Sequence, residues 1–287
     1  MKNKSTNRKN GLWTASFGEI GATLKALQDY GVTLEHLARL RAEPEYAKRV
    51  AEYILRGGVE YSEHHKLARA LMNQNFFGIE DWTRFYKVSF SWEQLRQTPE
   101  FPWNKDILLS TCPLCCKIVK DCHFAFLGLD RINGDPLTFK KLQELHPATG
   151  HPKFASYYSK YDPHYSGKKF ITETTMDFRW YLLHTDIVPG SENKTLEEQK
   201  AMLPAEYEIP SIVAETAKDL FVCRKTGTYA ISAWFKRCAD IRRSDGYDSH
   251  VSVRCYSKTE GLDFNNTFTD INVHNKLCIA ASRKPGV

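Results

Sequence analysis

No apolar run in this sequence approaches the length of a bilayer-spanning helix, so no membrane span is expected. No phosphate-binding P-loop, G-x-S-x-G elbow or dinucleotide fingerprint occurs, which leaves the common nucleotide-dependent and serine-hydrolase chemistries without their motifs. The ten histidines form neither H-E-x-x-H nor H-x-H, so the helix-borne zinc-hydrolase pair is missing too. No repeat of fixed period appears, which excludes a solenoid or propeller. The net charge is small, +6 over 287 residues, because 40 Lys and Arg are nearly balanced by 34 Asp and Glu. Four of the positive charges fall in MKNKSTNRKN at the N-terminus, and the rest of the chain is close to neutral. That speaks against a broad nucleic-acid face. The same tail lacks the apolar segment of a secretory signal, so the expectation is a cytoplasmic protein with residues 1–17 as a disordered basic tail. The absence of paired catalytic groups points to binding, with no enzyme activity and no cofactor.

What is present is enough to build a core. Hydrophobic residues make up 42% and aromatic residues 13% of the chain, suited to one large or two ordinary domains. The spacing predicts a helical region over 18–104. Ile20, Leu24 and Leu27 recur at helical spacing, Gly31 stops that helix, and Thr33 can cap the next. Pro44 suits a first helical turn, Ser62 opens a further helix, and Ser91 caps another. From about residue 105 the pattern becomes mixed. HFAFLGL from His123 reads as a buried strand, and Met176–Val188 as another. Thr195 and Ser211 each start a helix, with Val213, Ala217, Leu220 and Phe221 on the buried side of the second. After Gly227 strands dominate. The fold class is therefore α+β, a helical N-terminal region followed by a mixed domain over 105–287.

The eight cysteines are expected to be thiols. CPLCCKIVKDCH places Cys112, Cys115, Cys116, Cys122 and His123 together. Cys112 and Cys115 have the spacing of half a zinc site, and Cys122 is a third candidate ligand. The second half is poorly provided, because Cys122 and His123 are adjacent and neighbours seldom turn to one ion. His123 opens an apolar strand, where a buried, hydrogen-bonded ring is the ordinary outcome. The reading is thus no metal, and a cluster that folding does not need.

Several stretches are similar to an uncharacterised family of bacterial proteins: NFFGIE at Asn75, HFAFLGL at His123, WYLL at Trp180, AMLPAEYEIP at Ala201, RCAD at Arg237, SDG at Ser244 and AASRK at Ala280. The C-terminal end resembles the variable proteins of diversity-generating retroelements, although a Trp-Asp-Asp-Arg-like core is absent between Gly261 and Cys278. The resemblance implies a C-type-lectin-like fold from about residue 176, with RWYLL leading in and CIAASRK leading out. It also implies that varied residues near the C-terminus form a ligand-binding face. Gly261 to Asn275 holds no Lys, Glu, Gln, Met or Trp, the residues that randomised asparagine codons do not yield.

In YDSHVSVRCYS, Val251, Val253 and Cys255 alternate with His250, Ser252, Arg254 and Tyr256. One face is expected to pack and the other to present contacts. The candidate ligand-binding residues are Tyr247, His250, Ser252, Arg254, Tyr256, Asp263, Phe264, Asn265, Asn266, Thr267, Phe268, Asp270, Asn272 and His274. Their side chains are expected to face solvent, as aromatic and small polar groups do in a paratope. The expected partner is an unidentified ligand, protein in kind. Two alternatives stand beside this: a nucleic-acid-associated protein using the helix-turn-helix-like stretch from Gly78 and the basic N-terminus, and a small zinc-binding module around Cys112.

Overall fold

The computed structural model describes residues 15–155, 169–229, 234–244, 247–257, 261–265 and 273–286. Of the candidate ligand-binding residues, Asn266, Thr267, Phe268, Asp270 and Asn272 lie outside the described residues. The side chains of Tyr247, Tyr256 and Asn265 do as well. The fold is α+β, and the chain divides into two compact units, Met1–Ile54 and Leu55–Val287.

The first unit carries α1 (Phe17–Asp29), α2 (Leu34–Ala42) and most of α3 (Pro44–Leu55). Ser16 and Glu19 close a capping box on α1, each side chain accepting from the other's backbone N–H. Thr33 sits at the N-cap of α2, where His36 Nδ1 accepts from its backbone N–H. Among the described residues, none of these three helices buries a side chain.

The second unit opens with α4 (Glu63–Met72), β1 (Phe76–Phe77), α5 (Ile79–Tyr86), α6 (Trp92–Arg96), α7 (Lys105–Leu109) and α8 (Val119–Cys122). Next come β2 (His123–Leu127), β3 (Arg131–Ile132), β4 (Asp135–Pro136), α9 (Phe139–Leu145), α10 (Lys169–Thr172) and β5 (Trp180–His184). The chain continues through α11 (Leu196–Ala201), β6 (Tyr207–Glu208) and α12 (Ile212–Thr226). It closes with β7 (Phe235–Ser244), β8 (Tyr247–Ser257), β9 (Gly261–Asn265), β10 (Leu277–Ile279) and β11 (Ser282–Arg283). The division expected near residue 104 falls instead between Ile54 and Leu55, because β1 pairs with β2 and draws the helices around it into the larger core.

The central sheet runs β1-β2-β5-β11-β6. HFAFL and WYLLH are buried along their whole length, as continuous apolar strands must be when both faces are covered. Against one face lies Phe221 of α12, stacked on Phe77 at 4.2 Å and edge-on to Phe126 at 5.5 Å. The other face carries Phe76 and Trp180, packed with His65 and Phe101. The lead-in strand β5 and the closing strand β11 are antiparallel neighbours.

The second sheet runs β10-β7-β8-β9. Val251, Val253 and Cys255 face the core as the alternation predicts. The expectation of a solvent-facing opposite side is corrected: His250, Ser252 and Asp263 are buried and Arg254 is half-buried. Arg254 and Asp263 are register partners on β8 and β9, joined at 3.1 Å, and the guanidinium lies over the Phe235 ring. The cross-strand pair closes that face on itself. Phe264 is corrected as well. It shares the face of Leu262, sits opposite Val253, and meets Phe139 edge-on at 5.1 Å. His274 is only part-exposed, and its Nδ1 accepts from the Lys276 N–H.

Phe264→Ala should therefore cost about 3–5 kcal/mol, whereas Val273→Ala, at an exposed position, should stay within about 0.5 kcal/mol. Urea midpoints of the two variants check this, and equal midpoints would return Phe264 to the surface.

His146 offers a second check. Burial holds its pKa down to about 4; Nδ1 is 2.8 Å from the Leu142 carbonyl and Nε2 accepts from the Tyr86 hydroxyl. An unfolded histidine titrates near pH 6.5, so the unfolded chain takes the proton first. This residue's contribution to stability is complete above about pH 6.5 and is lost as the pH falls toward about 4. NMR should show the ring neutral down to about pH 4; an imidazolium already formed near pH 6 in the folded chain would contradict the burial.

Candidate metal centre

The segment between α7 and β2 is short, irregular and tightly bonded to itself. Thr111 and Ile118 form an antiparallel bridge. The Cys112 N–H donates to the Lys117 carbonyl at 2.7 Å, and the Cys116 N–H donates to the Cys112 carbonyl at 2.9 Å. Pro113 has no N–H to place inside this turn, and the Leu114 N–H points back at Cys112 Sγ, 3.4 Å away. Cys116 closes the turn at φ 61°, in the left-handed region, with its side chain exposed. The turn sets Cys112 and Cys115 side by side. The single helical turn α8 then delivers Cys122 at its last residue, directly before β2.

The fourth member comes from β5. His123 and His184 are register partners, so the end of β5 lies beside the start of β2. One ligand atom from each of Cys112, Cys115, Cys122 and His184 falls within 4.8 Å of all the others. Cys112, Cys122 and His184 are buried, and Cys115 is half-buried. A cleft of about 480 Å³ adjoins the cluster, with Cys115, Cys122, His184, Asp186 and Trp234 on its walls.

The hydrogen bonds fix which histidine nitrogen is available. His184 Nδ1 lies 3.0 Å from the Asp186 carbonyl, which can only accept, so Nδ1 carries the proton. Nε2 is left with its lone pair, and it is buried with no hydrogen-bond partner among the described residues. A bare imidazole nitrogen in such a place is otherwise costly, and a metal ion would satisfy it. Hydrogen bonding from Cys122, opposed by burial and helped by the N–H groups of Leu114 and Cys115, pulls the Cys112 thiol down in pKa. The Cys122 thiol is pushed up by its bond to Cys112 and by burial.

An outer layer supports the sulfurs. His123 Nδ1 lies 3.2 Å from the Val119 carbonyl and 3.3 Å from Cys122 Sγ, and the carbonyl again places the proton on Nδ1. Burial holds His123 near a pKa of about 3, so the ring is neutral and Nε2 accepts from the Tyr207 hydroxyl at 3.1 Å. Tyr207 in turn approaches Cys112 Sγ at 3.8 Å. The expectation that His123 would be a buried, hydrogen-bonded ring agrees with this geometry. The expectation of incomplete ligand geometry does not. It weighed only His123 as a fourth donor and set it aside, whereas the strand pairing brings in His184.

The thiols must lose their protons to bind an ion, so affinity should fall as the pH is lowered from about 8 to about 6, with proton release on binding. Calorimetry in buffers of different ionisation enthalpy measures both. Affinity independent of pH would mean the sulfurs are not the ligands.

Comparison of the chain with protein-family models, with curated proteins and with solved structures finds no match.

Proposed function

We propose that this protein holds one zinc-class ion through Cys112, Cys115, Cys122 and His184, and that the ion is structural. The observation that carries this is the convergence of three sulfurs and one imidazole nitrogen from three segments within 4.8 Å, the nitrogen having no hydrogen-bond partner among the described residues. Three sulfurs and one nitrogen suit a tetrahedral zinc site. Four protein ligands fill the tetrahedron and leave no position for water or substrate, which argues for stabilisation and against catalysis. The ion would pin the irregular turn at 111–118 to the end of the central sheet.

A second reading concerns what the metal-stabilised fold is for. β9 and β10, the strands that flank the sequence from 266 to 276, stand at opposite edges of the four-stranded sheet. That supports recognition of a ligand, protein in kind, by this segment, as the resemblance to retroelement variable proteins implies. The antiparallel pairing of β5 with β11 is in keeping with the C-type-lectin-like lead-in and lead-out. A near-copy of the gene's 3′ end, differing mainly at adenines and lying beside a reverse transcriptase, is the expected genomic finding. Its absence from the neighbouring DNA would remove the diversification part of this reading.

For the ion, metal analysis of the purified chain should give one zinc per molecule. An ion present at about 1,000 times its Kd contributes ~4 kcal/mol, and each kcal/mol moves the melting temperature of a domain of this size by roughly 2–4 °C. Chelation should therefore lower the melting temperature by about 8–16 °C. Cys112→Ser and His184→Gln should abolish the effect and Cys116→Ser should keep it. An unchanged melting temperature on chelation would overturn the proposal.

A further inference from the structure

Four charged side chains are buried together between the two sheets: Glu215, Lys218 and Asp219 of α12, and Lys236 of β7. Removing four charges from water is expensive unless every one is paired. Lys236 reaches both carboxylates, at 2.6 Å from Glu215 and 2.7 Å from Asp219. Burial disfavours its charge, but Asp219 and Glu215 outweigh that and raise its pKa. Glu215 behaves in mirror image: burial opposes its ionisation, and Lys218 and Lys236 together hold its pKa down. A second lysine is needed for neutrality, but neutrality does not explain where that lysine points.

Lys218 Nζ contacts Glu215 and Asp219 and also donates to two consecutive backbone carbonyls, those of His184 at 3.1 Å and Thr185 at 3.4 Å. Hydrogen bonds from a buried cation are short of competitors and fix an acceptor more firmly than neutral ones. The turn they grip is the one that presents the histidine ligand. Thr185 joins the same turn to a cysteine ligand, since the Cys122 carbonyl accepts from both the Thr185 N–H at 2.9 Å and the Thr185 hydroxyl at 3.0 Å. On the far side of the turn, the Asp186 carbonyl orients the His184 ring.

We infer that Lys218 is a positioning residue of the metal centre, holding the turn from His184 to Asp186 so that the imidazole meets the three sulfurs, with Thr185 locking that turn to Cys122. This rests on the ion-binding reading. A divalent ion with three thiolates and a neutral imidazole carries one net negative charge, which a buried ammonium on the ligand's own backbone also helps to tolerate.

The test uses the full chain, titrated with zinc and with cobalt against a competing chelator. Lys218→Met is combined with Glu215→Gln so that the buried group stays neutral. The double variant should bind zinc about 10–100-fold more weakly, the usual loss when a ligand's outer support is removed. Its cobalt spectrum should keep the three-thiolate charge-transfer intensity, and Lys218→Arg should recover part of the affinity. Thr185→Val, a near-isosteric change outside the buried charges, should weaken binding in the same direction. A double variant that is less stable without metal but binds zinc as tightly as the wild type would overturn the inference. If the double variant does not fold, Thr185→Val decides, and wild-type affinity in that variant would overturn the inference equally. A wild-type chain that takes up neither metal would instead overturn the ion-binding reading itself.

Discussion

The pairing of β2 with β5 is the constraint on which the larger unit depends. Its register sets His123 against His184 and Leu127 against Trp180. Side chains alternate along a strand, so this one alignment sends Phe126 toward α12 and Trp180 toward the aromatic group around Phe101. A slip of one residue would exchange the two faces and put His184 out of reach of Cys122. The cysteine–histidine cluster is therefore a consequence of the sheet, and the sheet is fixed by burial on both sides.

Much of the local structure was legible because its causes are local. Ser62, Ser91, Thr195 and Ser211 each cap the helix they announce, with the side chain accepting from the N–H three residues on. HFAFL and WYLLH show their apolar runs openly. The cysteine turn was visible too, as Cys112 and Cys115 at zinc spacing. His184 was not, because nothing near it in the chain marks it as a ligand and only the register with β2 brings it to the cysteines. Phe264 was legible and misread. Its alternation with Leu262 already placed it on the packed face, but the polar residues that follow drew it into the loop.

Helix α12 shows where patterning stops informing. Val213, Ala217, Leu220 and Phe221 mark a buried stripe, so Glu215, Lys218 and Asp219 look like the solvated side of an ordinary amphipathic helix. In the fold every residue from Ile212 to Cys223 is buried. The charged side meets Lys236 of β7 and the turn after β5, so that polar groups face polar groups between the two sheets. The buried charges and the cysteine cluster are two answers to one problem, since a polar group taken from water needs a partner. Glu215 and Asp219 both pair with Lys236, whereas His184 Nε2 has no hydrogen-bond partner among the described residues, and an ion would supply one.

The two proposed roles share an anchor in the chain that follows His184. Val188 donates to the Ile279 carbonyl at 3.3 Å, and the Ile279 N–H donates to Ser191 Oγ at 3.3 Å. Gln199 reaches the Leu277 carbonyl at 3.0 Å. These bonds clamp β10, the strand on which the 266–276 segment ends. If that segment is the recognition surface, its far end is fixed by residues that follow His184 in the chain, from Val188 to Gln199. A segment free to change its side chains adds little to its own stability, so its anchors must be secured elsewhere. An ion held by Cys112, Cys115, Cys122 and His184, as proposed, would add rigidity to the chain that leads from β5 into these contacts.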